Sequence, residues 1–195
     1  MTSNAAAREV LDFWFGQPGS AAHGTQRPEW FRKSATFDTE IAARFAPTIA
    51  QALRGELREW DAHPDSALAR ILLLDQFTRN TFRDSPRAFS GDALALEAAR
   101  RMVAAGDDRA LLAVQRSFAY LPFEHAEDLA MQDLSVRLFS ELRDVAPETD
   151  VQLDYAHRHR NVIARFGRFP HRNKILGRAS TAEELAYLAQ PGSGF

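Results

Sequence analysis

Apolar residues recur along the chain at the spacing of amphipathic helices, and no long segment alternates as a strand would. This pattern predicts about eight helices, near 5–15, 37–53, 66–74, 92–105, 108–118, 124–142, 147–165 and 180–188. The loops between them are mostly short, which favours antiparallel helix pairs. The sequence therefore predicts an all-α fold, as a single helical domain over residues 1–195.

Local signals predict where several of these helices start or bend. Pro47 falls inside the second helix and predicts a kink or a break there. Asp65 or Ser66 is placed to cap the third helix, and Pro122 is placed to start a helix. The run 180–184 has the spacing of a capping box and predicts the start of the last helix.

Composition and charge exclude several classes of protein. The absence of cysteine rules out disulfides, thiol nucleophiles and thiolate zinc sites. The N-terminal residues lack the basic region of a signal peptide, and the most apolar stretch, 67–77, is interrupted by Arg70 and Asp75. We therefore expect a cytoplasmic protein without a membrane partner. A net charge of −2 gives no reason to expect nucleic acid as a partner.

An acidic stretch of the chain is followed directly by a basic one. Residues 124–154 contain nine carboxylates and two arginines, whereas residues 155–182 contain no carboxylate and several arginines and histidines. Either neighbouring helices neutralise each other through ion pairs, or some arginines are left to bind an anion. Only Lys33 and Lys174 are lysines, and arginine is the cation better suited to carboxylate or phosphate.

Two segments concentrate polar side chains in an otherwise apolar pattern. Glycine and proline within 166–173 predict the end of a helix, so Arg168, His171 and Arg172 are expected in a loop, where function concentrates. The second segment is the run 72–80 of an apolar helix, in which Asp75 and Arg79 are four residues apart and are expected to pair. That pair either fixes helix packing as a buried ion pair or forms the wall of a site.

A third polar segment, 122–128, combines a histidine with acids. Its acids, Glu124, Glu127 and Asp128, fit the first turn of a helix that starts at Pro122, where the macrodipole favours them. His125 is spaced to share a face with Asp128. With His159 of the next helix, these groups would form an acid–base pair or a His-plus-carboxylate metal site. No zinc-protease motif or phosphate-binding glycine loop is present, so we predict no metal and leave the cofactor open.

Segments 73–80, 122–128 and 165–173, followed by 176–181, together resemble an uncharacterised bacterial family, the domain of unknown function with number nine hundred and twenty-four. The likeness extends over essentially the whole chain, and the run 166–173 is its most specific part. It implies a helical fold similar to tetratricopeptide arrays and no established activity. Thr78 stands where the family usually has proline, so the helix is expected to continue there, and Asn161 stands where an acid is expected.

Three hypotheses for function remain open. The first is binding or hydrolysis of a small anionic metabolite, with catalytic candidates His125, His159 and Glu124, and ligand-binding candidates Arg79, Asn80, Arg168, His171, Arg172, Asn173, Asp75 and Gln132. The second is a protein-binding scaffold that recognises an acidic peptide or partner with the same residues. In the third, the clusters are structural: they satisfy helix ends and ion pairs, and one arginine binds the carboxylate of Phe195.

Overall fold

The predicted helical periods become helices along most of the chain. A computed structural model describes residues 5–194 and contains α1 (Ala5–Phe15), α2 (Ala35–Leu53), α3 (Pro64–Leu72), α4 (Thr78–Thr81), α5 (Asp92–Ala105), α6 (Ala113–Glu124), α7 (Leu129–Val145), α8 (Asp150–Phe166) and α9 (Ala182–Leu188). A π-helical turn, Leu73–Phe77, joins α3 to α4 as one continuous helix, so the described residues form eight helices. They include no strand, and the all-α prediction is confirmed.

The helix formed by α3, the π turn and α4 lies at the centre of the core. Every residue from 67 to 75 is buried, as expected for a helix that is apolar on all sides. α3 packs against α1, α5 and α6, and α7 packs against α6 and α8. The resemblance to a tetratricopeptide array stays a prediction, whereas an array of packed helices is what the chain forms.

Aromatic rings fill the space between α1 and the central helix. The buried ring of Trp14 lies 5.3 Å from that of Phe77 and 5.6 Å from that of Phe118, measured between centroids. Large rings bury much apolar area each, which makes them the main contributors to such a core. Arg70 is a charged residue in this region that is completely buried, and it binds Asp61 at 2.8 Å.

Some predicted helix boundaries are confirmed and others are wrong. α1 and α5 have the predicted ends, and α9 begins with the predicted capping box of Thr181 and Glu184. α2 continues through Pro47 without a break. The prediction of a cap at Asp65 or Ser66 is wrong, because Pro64 already starts α3. Proline suits this first position, since its fixed φ is helical and no N–H is lost from the helix ladder.

The helices on either side of segment 122–128 differ most from the prediction. Pro122 does not start a helix but lies in the last turn of α6, which occupies 113–124 instead of 108–118. α7 starts only at Leu129, because Asp128 caps it by accepting the Met131 backbone N–H at 3.1 Å. Glu124 therefore lies at the C-terminal end of a helix, where the macrodipole does not stabilise its charge.

No helix within residues 5–194 combines the length and the apolar character needed to cross a membrane.

Candidate functional site

A cavity of about 710 Å³ lies where the three polar segments meet. Its lining draws on all of them, through Gln76, Arg79, Asn80, Glu124, His125, His159, His171 and Arg172. These residues belong to the central helix, the end of α6, α8 and the loop after α8. Packing of elements that are distant in sequence therefore creates the site.

The π turn of the central helix carries Asp75 to a position behind the cavity wall. The side chain is 1% exposed, and its partners His125 and Arg79 line the cavity. π turns are uncommon and occur often at functional sites. The helix continues past the turn into α4, as expected from Thr78, and the Thr78 hydroxyl donates to the Leu74 carbonyl at 2.7 Å.

Asp75 and His125 form a buried acid–histidine pair. The Asp75 Oδ1 atom lies 2.7 Å from His125 Nδ1 and 3.1 Å from Arg79 Nη1. Burial opposes ionisation of Asp75, but Arg79 and His125 outweigh it and hold the pKa of the carboxyl below its usual range. A carboxylate only accepts hydrogen bonds, so His125 Nδ1 carries a proton. Burial and the Arg79 charge lower the pKa of His125, which leaves the imidazole neutral with Nε2 available as a base.

Asp92, the first residue of α5, connects two arginines. It binds Arg79 through two contacts of 2.8 and 3.1 Å, and its Oδ2 atom lies 3.4 Å from Arg172 Nη1. Gly91 allows this arrangement, because a Cβ at that position would overlap the carbonyl of Leu74. The first turn of α5 therefore lies directly against the π turn.

Arg172 is a buried cation whose charge is balanced by one distant carboxylate. The residue is only 6% exposed, and its guanidinium carbon lies 4.7 Å from the centroid of Phe89 and 4.5 Å from that of Phe169. Within residues 5–194 its Nε has no hydrogen-bond partner, and its ion pair is the 3.4 Å contact with Asp92. Burial, helped by Arg79, lowers the pKa of Arg172 to about 10, so it stays charged at neutral pH. Such a group is costly unless something satisfies it.

Glu124 and His159, two of the predicted catalytic candidates, form a second pair on the cavity lining. Glu124 Oε1 lies 3.2 Å from His159 Nδ1, which also lies 2.9 Å from the Tyr155 carbonyl oxygen. A carbonyl only accepts, so this nitrogen carries a proton. Burial and the nearby Asp75 raise the pKa of Glu124 to about 8, so the carboxyl is protonated at neutral pH. Burial and His125 lower the pKa of His159 to about 3.

His171 and Asn80 complete the predicted residues that line the cavity. Burial and the Arg172 charge lower the pKa of His171 to about 4, so this imidazole is neutral. The Asn80 amide donates to Asp38 Oδ1 at 2.7 Å, which holds its side chain against α2.

Arg168 and Asn173 lie outside the cavity lining and bind the start of α9 instead. Arg168 makes two contacts with the carboxylate of Glu184, at 2.7 and 2.8 Å, and Asn173 donates to the same group at 3.2 Å. Hydrogen bonds from Arg168 and from the Thr181 backbone lower the pKa of Glu184 to about 2. These contacts agree with the structural hypothesis for Arg168 and Asn173, whereas its binding of the Phe195 carboxylate lies outside the described residues.

Gln132 of α7 and Glu127 of segment 122–128 also serve the connection between helices. Gln132 donates to the carbonyl of Glu124 at 2.6 Å, which satisfies the end of α6. Glu127 pairs with Arg178 at 2.7 Å. The predicted pairing of His125 with Asp128 is not formed, because Asp128 caps α7 and His125 turns toward Asp75.

Ion pairs account for much of the charge step in the sequence. Arg160 binds Asp133 at 2.7 Å across α7 and α8, and Arg165 binds Glu183 at 2.8 Å. Both pairs are exposed and contribute little stability. Arg172 differs from these arginines because it is buried and has only one long contact.

The sequence did not indicate two parts of the site. In the sequence, Asp92 is recognisable only as the acidic first residue of the predicted helix 92–105. The second part is an apolar mouth, which we define as Phe31, Val151 and Tyr155, at 63%, 60% and 41% exposure. The adjacent aromatic residues Trp30 and Phe31, which follow a polar loop, were the signal in the sequence for part of the mouth.

Among residues 5–194, no group of three or more histidines and acids is arranged to hold a metal ion.

Fold and cavity together define an all-α protein with a cavity lined by arginine, histidine and carboxyl groups. The chain belongs to the family described as bacterial proteins of unknown function, DUF924, whose family model matches residues 10–192. It is similar to a solved protein of unknown function from Agrobacterium tumefaciens, with 39% identity over 95% of this chain and 97% of that chain, and a TM-score of 0.82. No curated protein matches the sequence. The resemblance stated from the sequence is confirmed.

Proposed function

We propose that the cavity binds a small anionic molecule whose negative charge is held by Arg172. The observation that carries this proposal is the state of Arg172, which is buried and charged and whose ion pair is a single contact of 3.4 Å. An anion beside the guanidinium would offset the cost of burying the charge. Arg79, which shares Asp92 with Arg172, adds a second positive charge to the same wall.

The groups around this arginine are suited to acid–base chemistry on the bound molecule. Asp75 orients His125 and fixes its tautomer, so that Nε2 acts as a general base toward water or a ligand proton. Glu124, protonated in its buried position, acts as a general acid. This division of roles between two titratable groups supports hydrolysis of the anion as the reaction.

The test is native mass spectrometry on protein purified gently from its own cells, compared with the same sample after denaturation. We expect a mass difference that disappears on denaturation and that is absent from Arg172→Met, which keeps the volume of the side chain without its charge. Arg165→Gln is the matched control, because Arg165 is an exposed arginine near the end of α8, the helix that precedes the loop of Arg172. The same added mass on Arg172→Met would refute the assignment of the anion to Arg172.

Recognition of an acidic peptide by a scaffold is the second candidate. The exposed Phe31 beside the cavity favours it, since apolar side chains at a rim are common in protein interfaces. Affinity purification from the native cell should then recover a protein partner with the wild type and lose it with Phe31→Ser. Recovery of no partner counts against this candidate.

A further inference from the structure

The apolar mouth distinguishes this cavity from a site that binds only an inorganic anion. Phe31, Val151 and Tyr155 are three of the large apolar side chains that the described residues leave exposed, and all three line the same cavity. Apolar exposure concentrated in one place is typical of a binding surface. Leu121 and Ile175 add further apolar side chains to the lining.

The size of the cavity also favours an organic ligand. Its volume of about 710 Å³ lies within the range of cavities that hold organic ligands. A bare inorganic anion at Arg172 would leave most of this space filled with water beside apolar side chains. The cavity therefore matches a ligand with a polar end and an extended apolar body.

The charges beside Arg172 select a single negative charge. Arg79 is already satisfied by Asp75 and by both oxygens of Asp92, whereas Arg172 has one 3.4 Å contact with Asp92 and an Nε without a hydrogen-bond partner. A second negative charge on the ligand would approach Asp92, and the other cations of the lining are either paired, as Arg83 is with Asp38 at 2.7 Å, or exposed to solvent, as Arg32 is. The rim cation Lys33 is exposed and bound to Asp84 at 3.3 Å, so solvent and its partner screen its charge.

We propose that the ligand is an amphipathic monocarboxylate. Its carboxylate binds Arg172, and its aliphatic or aromatic body passes Tyr155 and reaches the mouth beside Phe31. The fork of the guanidinium matches the two oxygens of a carboxylate, and the protonated Glu124 donates to the same group. This assignment rests on the proposed function, because it specifies the chemical class of the anion.

Calorimetric titration of the full-length protein with straight-chain carboxylates tests the assignment. The probes are acetate, butanoate, hexanoate and octanoate, with octyl phosphate and 1-octanol as comparisons of charge. From butanoate to octanoate, we expect Kd to fall by about fourfold for each added methylene, the value of burying that group. Octanoate should bind Arg172→Met at least about tenfold more weakly, close to 1-octanol, as expected when a charge-assisted contact is lost.

A mouth variant and a matched control separate the apolar part from the charge. Phe31→Ser should weaken octanoate severalfold and leave butanoate unchanged, and its 63% exposure keeps the fold independent of the change. Leu185→Ser, at an equally exposed leucine outside the cavity lining, should bind every probe as the wild type does.

Each contrary result has a distinct meaning. Equal affinity for all chain lengths, lost in Arg172→Met, overturns the amphipathic ligand and leaves anion binding in place. Tighter binding of octyl phosphate than of octanoate overturns the choice of a carboxylate. Binding of none of the probes, together with no bound mass in the native protein, overturns both proposals.

Discussion

Replacement of Gly91 by alanine tests how closely α5 approaches the π turn. Gly91 has a φ of −93°, which any residue adopts, so the backbone itself would not resist the change. The new Cβ, however, would lie 2.9 Å from the Leu74 carbonyl carbon and overlap its oxygen. Both are backbone atoms of a buried turn and cannot rotate away. Such overpacking costs about 1–3 kcal/mol, and a backbone clash belongs at the upper end, near about 3 kcal/mol.

The expected loss is large enough to measure directly. In a chain of this size, about 3 kcal/mol corresponds to a fall in Tm of about 6–12 °C. Urea unfolding and calorimetry on Gly91→Ala would give both values. Gly194→Ala is the control, because no atom lies within 4 Å of the Cβ that it would add. A Gly91→Ala protein as stable as the control would refute the close approach and the placement of Asp92 that depends on it.

Two further predictions concern the charges of the site. Arg172→Met should leave Tm unchanged or raise it, because it removes a buried and poorly compensated charge; a fall of more than about 4 °C, which is about 1 kcal/mol or more, would show that Arg172 is a structural residue instead. Glu124 has a pKa of about 8 in the folded chain and 4.5 as its reference value, so the unfolded chain loses this proton first and stability falls as pH rises between these values. Glu124→Gln lacks the titrating group and should not show this fall. The free energy of unfolding of the variant minus that of the wild type should therefore rise by about 1 kcal/mol per pH unit between pH 5.5 and 7.5. The lowered pKa of His159 makes stability fall at acidic pH, and it does so equally in both proteins. If the stabilities of the wild type and Glu124→Gln, measured by urea unfolding, changed in parallel with pH, the prediction would be contradicted.

Regular helices and their local signals could be predicted from the sequence. The ends of α1 and α5 follow directly from the apolar period and the flanking glycines. The cap of α9 at Thr181 follows from a side chain that bonds within its own turn. Such signals depend on neighbours in the chain, and therefore a single sequence contains them.

The pairing of distant groups could not be predicted in the same way. The cluster containing Asp75 was visible, but its partner His125 was assigned to Asp128, because sequence spacing reports neighbours on one helix only. The start of a helix at Pro122 was wrong for a related reason. Proline is favoured in a first turn, yet here α6 begins nine residues earlier and the cap of α7 comes from Asp128.

Arginines with the same sequence signal have different surroundings in the fold. Arg168 and Arg172 lie four residues apart in one loop, and nothing in their spacing distinguishes them. The start of α9 supplies Glu184 to Arg168, whereas Phe89 and Phe169 enclose Arg172 between rings. Tertiary packing decides which of them is left with unmet donors.

The π turn makes the site sensitive to the length of the chain. Deletion of one residue within Leu73–Phe77 would turn it into ordinary α-helix, with the backbone hydrogen bonds still formed and the core of α3 intact. Everything after the deletion would rotate by about 100° about the helix axis, the step of one residue. Arg79 and Asn80 would then point away from Asp92 and Asp38. A length change of one residue would thus separate the side chains of α4 from their partners on α5 and α2. Family members that retain the site should therefore show no insertion or deletion within this segment.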